Sequence, residues 1–110
     1  MTNGVIQYTI DQSGVLTGRW AQVVGDQQQY QTGTERAVPR CLKEDIAGSY
    51  DAEIYDSTGA TGWKGTLVIE GTRESFRTAW LPSEEGMGVF SGVGFMPQSD
   101  AAVAAYWSVS

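Results

Sequence analysis

The side chains best equipped for chemistry are carboxylates, and they come in two close pairs. Asp51 and Glu53 stand two apart in SYDAEIYD, and Glu84 and Glu85 are adjacent in LPSEEG. Paired carboxylates can separate their pKa values and work as acid and base. The alternation around the first pair argues otherwise. Tyr50, Ala52 and Ile54 share one face of an extended segment, which sends Asp51 and Glu53 to the opposite, solvated face. The second pair lies in a turn. Without histidine, the chain lacks the commonest general base, metal ligand and haem ligand together. A base would have to be Glu35, a Tyr or an Asp. Ser and Thr are plentiful, but no evident base stands ready to activate one.

The single Cys41 cannot form an internal disulfide, and it reads as a passive residue despite neighbouring Arg40 and Lys43. The only conceivable oxygen-ligand set is Asp51, Glu53 and Asp56. GMGVFSGVGF places Ser91 where a dinucleotide loop needs its third Gly, and GATGWK lacks the spacing of a phosphate-binding loop. The expectation is therefore a non-enzymatic protein with no catalytic residue, no metal ligand and no cofactor.

Aromatic residues give a better lead. Four Trp, five Tyr and three Phe supply large flat surfaces. Tyr8, Trp20, Tyr50, Phe76 and Trp80 all fall on predicted inner faces. With Thr32 they form the candidate ligand-binding set, Thr32 and Thr34 orienting a ligand beside an Arg19–Glu35 pair. Phe90 and Tyr106 fall out of phase with Val89 and Val93 and with Val103, Ala105 and Trp107. They are expected to form, with Ala102 and Ala104, an outward strip for self-association.

The elements that must position these residues are short strands. Ile46 to Leu81 contains three alternating segments separated by STGATG and EGTRE, the pattern of an antiparallel meander. Before it, strands are expected over Val5–Ile10, Val15–Val24 and Gln28–Glu35, with Gly18 marking a bulge or room for a bulky neighbour. After it come Met87–Met96, with Val89, Ser91, Val93 and Phe95 in phase, and Ala101–Val109. RAVPRCLKED, residues 36–45, interrupts the pattern and reads as a longer connector, because Pro39 is foreign to a central strand. VVGDQQQYQT and VIEGTRESFRT share a five-residue spacing from Gly to aromatic, as two hairpins of one plan would. Eight strands in series, mostly joined by tight turns, predict an all-β fold: an antiparallel eight-stranded up-and-down β-barrel, with a β-sandwich as the alternative.

Composition bounds the rest. A chain of 110 residues makes one domain, 1–110, and fourteen Gly scattered through it suit many turns. A net charge of −6 argues against nucleic acid or an anionic membrane surface as partner. MTNGVIQYTI has neither the basic nor the apolar region of a signal peptide, so a cytoplasmic location is expected.

The phrases YTIDQSGVLTGRW, GTERAVP, IAGSYD, GTLVI with FRTAW, and SGVGF resemble a family of small bacterial β-barrel modules, some labelled fibronectin-binding-like. In that family the G-S-Y and G-V-G hairpins precede the G-R-W…G-T-E end. Here the order is rotated, as in a permuted barrel or a tandem array read from mid-repeat. More loosely, the architecture is similar to the avidin and lipocalin class of ligand-holding barrels. The resemblance implies a closed β-barrel of unassigned biochemical role, and it transfers no individual ligand residue.

Overall fold

The computed structural model describes residues 2–25, 29–41 and 45–109. They form eight strands: β1 (Thr2–Ile10), β2 (Leu16–Val24), β3 (Gln29–Pro39), β4 (Gly48–Asp56), β5 (Thr61–Thr72), β6 (Ser75–Pro82), β7 (Val89–Gln98) and β8 (Ala101–Val109). Each pairs antiparallel with the next, and β8 returns to β1, so the sheet closes into an up-and-down barrel without a free edge. Among the described residues there is no helix, and so none long and apolar enough to cross a membrane.

Turn chemistry follows the small polar residues. Asp11 caps its own turn by accepting from the Ser13 and Val15 amides. Asp56 does the same for Thr58 and Ala60, with Gly59 in the left-handed region at φ 88°. The two similarly spaced hairpins do not share one plan. Gly25 and Gly71 lie at opposite ends of the barrel, and Tyr30 points outward at 79% exposure whereas Phe76 is buried.

Strand β3 runs further than its sequence suggests. Arg36, Ala37 and Val38 pair with Glu53, Ala52 and Asp51, and Pro39 stands opposite Tyr50 as the last strand residue. Proline is tolerated there because the ladder ends with it. The segment between β3 and β4 is thus 40–47 rather than 36–45. Sequence also allows Leu42 and Ile46 one helical turn; Leu42 lies outside the described residues, and Ile46 is buried in a bend before β4.

The inner faces of β1, β2, β4, β5 and β6 follow the expected alternation, but those of β3, β7 and β8 are the reverse of it. Gly33, Glu35 and Ala37 face inward on β3, so Thr32 and Thr34 are exposed outside. On β7 and β8 the small phase faces in: Gly92, Gly94, Ala102 and Ala104, with Tyr106. The reason is volume. A small barrel interior has room for large rings only where the facing positions are small. A Cβ on Gly94 would lie 2.7 Å from the Phe76 ring, and one on Gly92 would lie 3.3 Å from Trp80. Phe90 and Tyr106 are therefore not an outward strip. Their rings meet inside the barrel, edge to face, with centroids 6.1 Å apart.

The interior divides into two halves. At the end carrying the β1–β2, β3–β4, β5–β6 and β7–β8 turns, Leu16, Ala37, Ile46, Tyr50, Leu67, Ile69 and Phe76 pack solidly. Each fully buried Leu or Ile contributes roughly 1.5–3 kcal/mol by leaving water. The Tyr50 hydroxyl donates to the Ile46 carbonyl at 2.6 Å and closes that end. The opposite half is lined with rings and is not filled.

Candidate functional site

The unfilled half contains a cavity of about 330 Å³ that runs from Glu35 at mid-barrel to the rim formed by Asp56, Gly62 and Gly88. Its walls are Ile6 of β1, Trp20 of β2, Ile54 of β4, Trp63 of β5, Trp80 of β6, Phe90 of β7 and Tyr106 of β8. Gln22 and Gln31 stand nearer the rim, where the Gln22 amide donates to Gln31 Oε1 at 2.9 Å.

Glycines set the ring positions. Tyr106 lies over Gly4, where a Cβ would fall 2.4 Å from the ring, and so reaches Gln22, donating to its Oε1 at 2.9 Å. Trp20 lies over Gly33 in the same manner and donates to the Thr34 carbonyl at 3.0 Å. Trp63 is fixed by a 2.8 Å bond to the Gly88 carbonyl. Trp80 and Tyr106 are tilted at 58° with centroids 5.6 Å apart, and Phe90 meets Tyr106 edge-on, so three rings form one corner of the cavity.

Glu35 is the centre of the site. Its side chain is 1% exposed. Oε1 accepts from the Tyr8 hydroxyl at 2.6 Å, and Trp80 Nε1 lies 3.0 Å from Oε2 and 3.3 Å from Oε1. Both donors are neutral. Among the described residues no cation is paired with it, since the ion pairs are Arg40–Asp51, Lys64–Glu53 and Arg77–Glu70, all on the exterior. Burial pushes the Glu35 carboxyl up to about 7, against the smaller opposing effect of the Tyr8 and Trp80 hydrogen bonds. Burial likewise raises the Tyr8 and Tyr106 phenols, and the Glu35 charge adds to this.

The structure brings Trp20 and Trp80 of the sequence-derived set to the cavity. Tyr8 is buried beside it and holds Glu35. Tyr50 and Phe76 lie in the packed half, and Thr32 is outside the barrel altogether. Arg19 is not a partner of Glu35: it is exposed on the outer face of β2, opposite Thr34, while Glu35 points inward. Asp51 is likewise exposed, Glu53 accepts from the Tyr55 hydroxyl, and Glu84 and Glu85 are exposed in their turn. No cluster of potential metal ligands occurs among the described residues.

Sequence reasoning missed Trp63, Ile54 and Gln31 as lining residues and misplaced Glu35. Signals for two of these were present. Thr32, Thr34 and Arg36 make one phase of β3 uniformly polar, which leaves Glu35 in the phase of Gly33 and Ala37. Counting back by twos from Ile69 through Leu67 and Gly65 reaches Trp63.

Compared with protein-family models, characterised proteins and solved structures, the chain finds no match.

Proposed function

We propose that this barrel is a non-enzymatic binding module that holds a small, largely aromatic or apolar ligand in the half beyond Glu35. The observation that carries the reading is the 330 Å³ cavity walled by three Trp, one Phe and one Tyr, with a single carboxyl at its base. Ligand sites combine apolar walls with a few placed polar groups, and roughly 300–1,000 Å³ is their usual size. Closed eight-stranded barrels are also the architecture that encloses one small ligand. The experiment is a thermal-shift series with 2-phenylethanol on the native chain and on Ile54→Trp, which fills the cavity. A ligand at about 100 times its Kd stabilises by roughly 2.7 kcal/mol. Stabilisation of the native chain and none of Ile54→Trp is expected; equal response of both removes the cavity from the account.

A buried carboxylate bonded to an inward Tyr also suits acid–base work. Tyr8 does not line the cavity, however, and we assign it to positioning Glu35.

The exterior favours a second reading, self-association. The outer faces of β7, β8 and β1 carry Val93, Phe95, Trp107, Val109 and Val5, each at least 39% exposed. No charged residue occurs within these three strands, although the whole chain carries −6. Two copies of an acidic protein repel except through an uncharged face, and a two-fold contact needs a surface complementary to itself. A second copy is therefore the occupant this face suits.

A further inference from the structure

We propose that the ligand of this cavity is a small organic cation, an ammonium group on an aromatic or apolar body, with its charged nitrogen set toward Glu35. This rests on the binding reading above and narrows it.

The first observation is the uncompensated carboxylate. Buried charges are ordinarily paired, because an isolated one loses its hydration without return. Glu35 has two neutral donors, Tyr8 from β1 and Trp80 from β6, and it lines the cavity. A carboxylate offers about four acceptor sites, so these donors leave capacity toward the cavity. The cations nearest along the strands, Arg19 and Arg36, lie on the outer face. A cation would have to come from the ligand.

The second observation is the wall. Trp20, Trp63, Trp80, Phe90 and Tyr106 surround the space beside that carboxylate. Ring faces attract a desolvated cation, and Trp is the strongest of the three aromatic types. Apolar walls alone suit any hydrophobe. Five rings with one buried carboxylate, a second at the rim in Asp56, and no cation in the lining select a hydrophobe with a positive charge.

The same groups set the pH behaviour. Tyr8 and Tyr106 are the titratable side chains facing Glu35 from β1 and β8, and burial keeps both phenols protonated through neutral pH. From β2, β4, β5, β6 and β7 the inward neighbours are Trp20, Ile54, Trp63, Trp80 and Phe90, none of which titrates. Asp56 at the rim is held below the usual carboxylate range by Thr58 and the turn amides, so its charge is constant there. Glu35 alone changes charge near pH 7, and cation affinity follows its ionisation.

The test is isothermal titration calorimetry with phenethylammonium, phenyltrimethylammonium and the neutral 2-phenylethanol, at about pH 5.5 and about pH 8, where both cations stay charged. At the higher pH the cations bind roughly tenfold or more tighter than the alcohol, and the advantage shrinks by roughly tenfold or more at the lower pH. Glu35→Gln removes the cation preference and its pH dependence; the native chain's own pH profile stands without that variant. If the alcohol binds as tightly as the cations at both pH values, the cation proposal fails and the binding reading survives. If none of the three binds, both fall.

Discussion

The Tyr8 hydroxyl crosses Gly18 to donate a 2.6 Å hydrogen bond to Glu35, linking β1 to β3 over the strand that separates them. Tyr8 and Glu35 both stand opposite Gly18 in their ladders, and a Cβ at Gly18 would lie 2.9 Å from the Tyr8 ring and from Ile6. The carboxylate is thus positioned by an absence of side chain on the intervening strand. Gly18→Val drives a branched side chain into the Tyr8 ring and costs roughly 1–3 kcal/mol by overpacking. Chemical denaturation of the two proteins measures this, and a Gly18→Val chain as stable as the native one contradicts the crossing.

Glu35 makes stability depend on pH. Its folded pKa is raised from 4.5 to about 7, so the fold favours the protonated carboxyl. The associated stability is fully present below about pH 4.5 and is lost as pH rises through about 7. At ~1.4 kcal/mol per pH unit, the loss amounts to about 3 kcal/mol. Glu35→Gln abolishes this fall, so its melting temperature relative to the native chain rises between pH 5 and pH 8, by roughly 10 °C or more on the scale of about 4–8 °C per kcal/mol. Parallel pH profiles for the two proteins refute the assignment.

Trp80→Phe keeps a ring in the wall and deletes the indole donor to Glu35. One charge-assisted hydrogen bond is lost, roughly 1.5–3 kcal/mol where the carboxyl is ionised and less where it is protonated. Because that bond favours the charged form, the Glu35 pKa moves further up in the variant. A carboxyl-selective NMR titration reads the direction; an unchanged or lower value counts against the contact.

The barrel was legible in the sequence because strand, turn and strand recur with period two, and closure follows from short links in series. The inward phase was legible where one face is plainly apolar and the other charged, as in Tyr50, Ala52 and Ile54 against Asp51 and Glu53. It failed on β7 and β8 because hydrophobicity there points outward. Val93, Phe95 and Trp107 look like core, whereas Gly92, Gly94 and Ala104 are core because Phe76, Trp80 and Tyr106 already occupy the volume. That is a tertiary constraint, set by rings on other strands, and no local period encodes it. Glu35 was obscured by Arg19, which reads as its partner until strand alternation puts it on the other side.

The outer face supplies its own test. Phe95→Ser with Trp107→Ser removes two exposed rings, at 49% and 39% exposure, from an uncharged surface. Exposed substitutions of this kind change stability by roughly 0.5 kcal/mol or less. In sedimentation velocity the native chain is expected to self-associate, and the double variant to shift toward monomer with its melting temperature kept. A native chain that stays monomeric at high concentration ends the self-association reading.

The four Trp give the most direct measurement of the central claim. Trp20, Trp63 and Trp80 line the cavity, and Trp107 sits on the outer face as an internal control. Their indole N–H signals, assigned by single Trp→Phe variants, can be followed in a ¹⁵N–¹H spectrum while 2-phenylethanol or phenethylammonium is added. The account predicts saturable shifts of the Trp20, Trp63 and Trp80 signals with one common Kd, and an unmoved Trp107. Shifts confined to Trp107, or none at any concentration reached, contradict it.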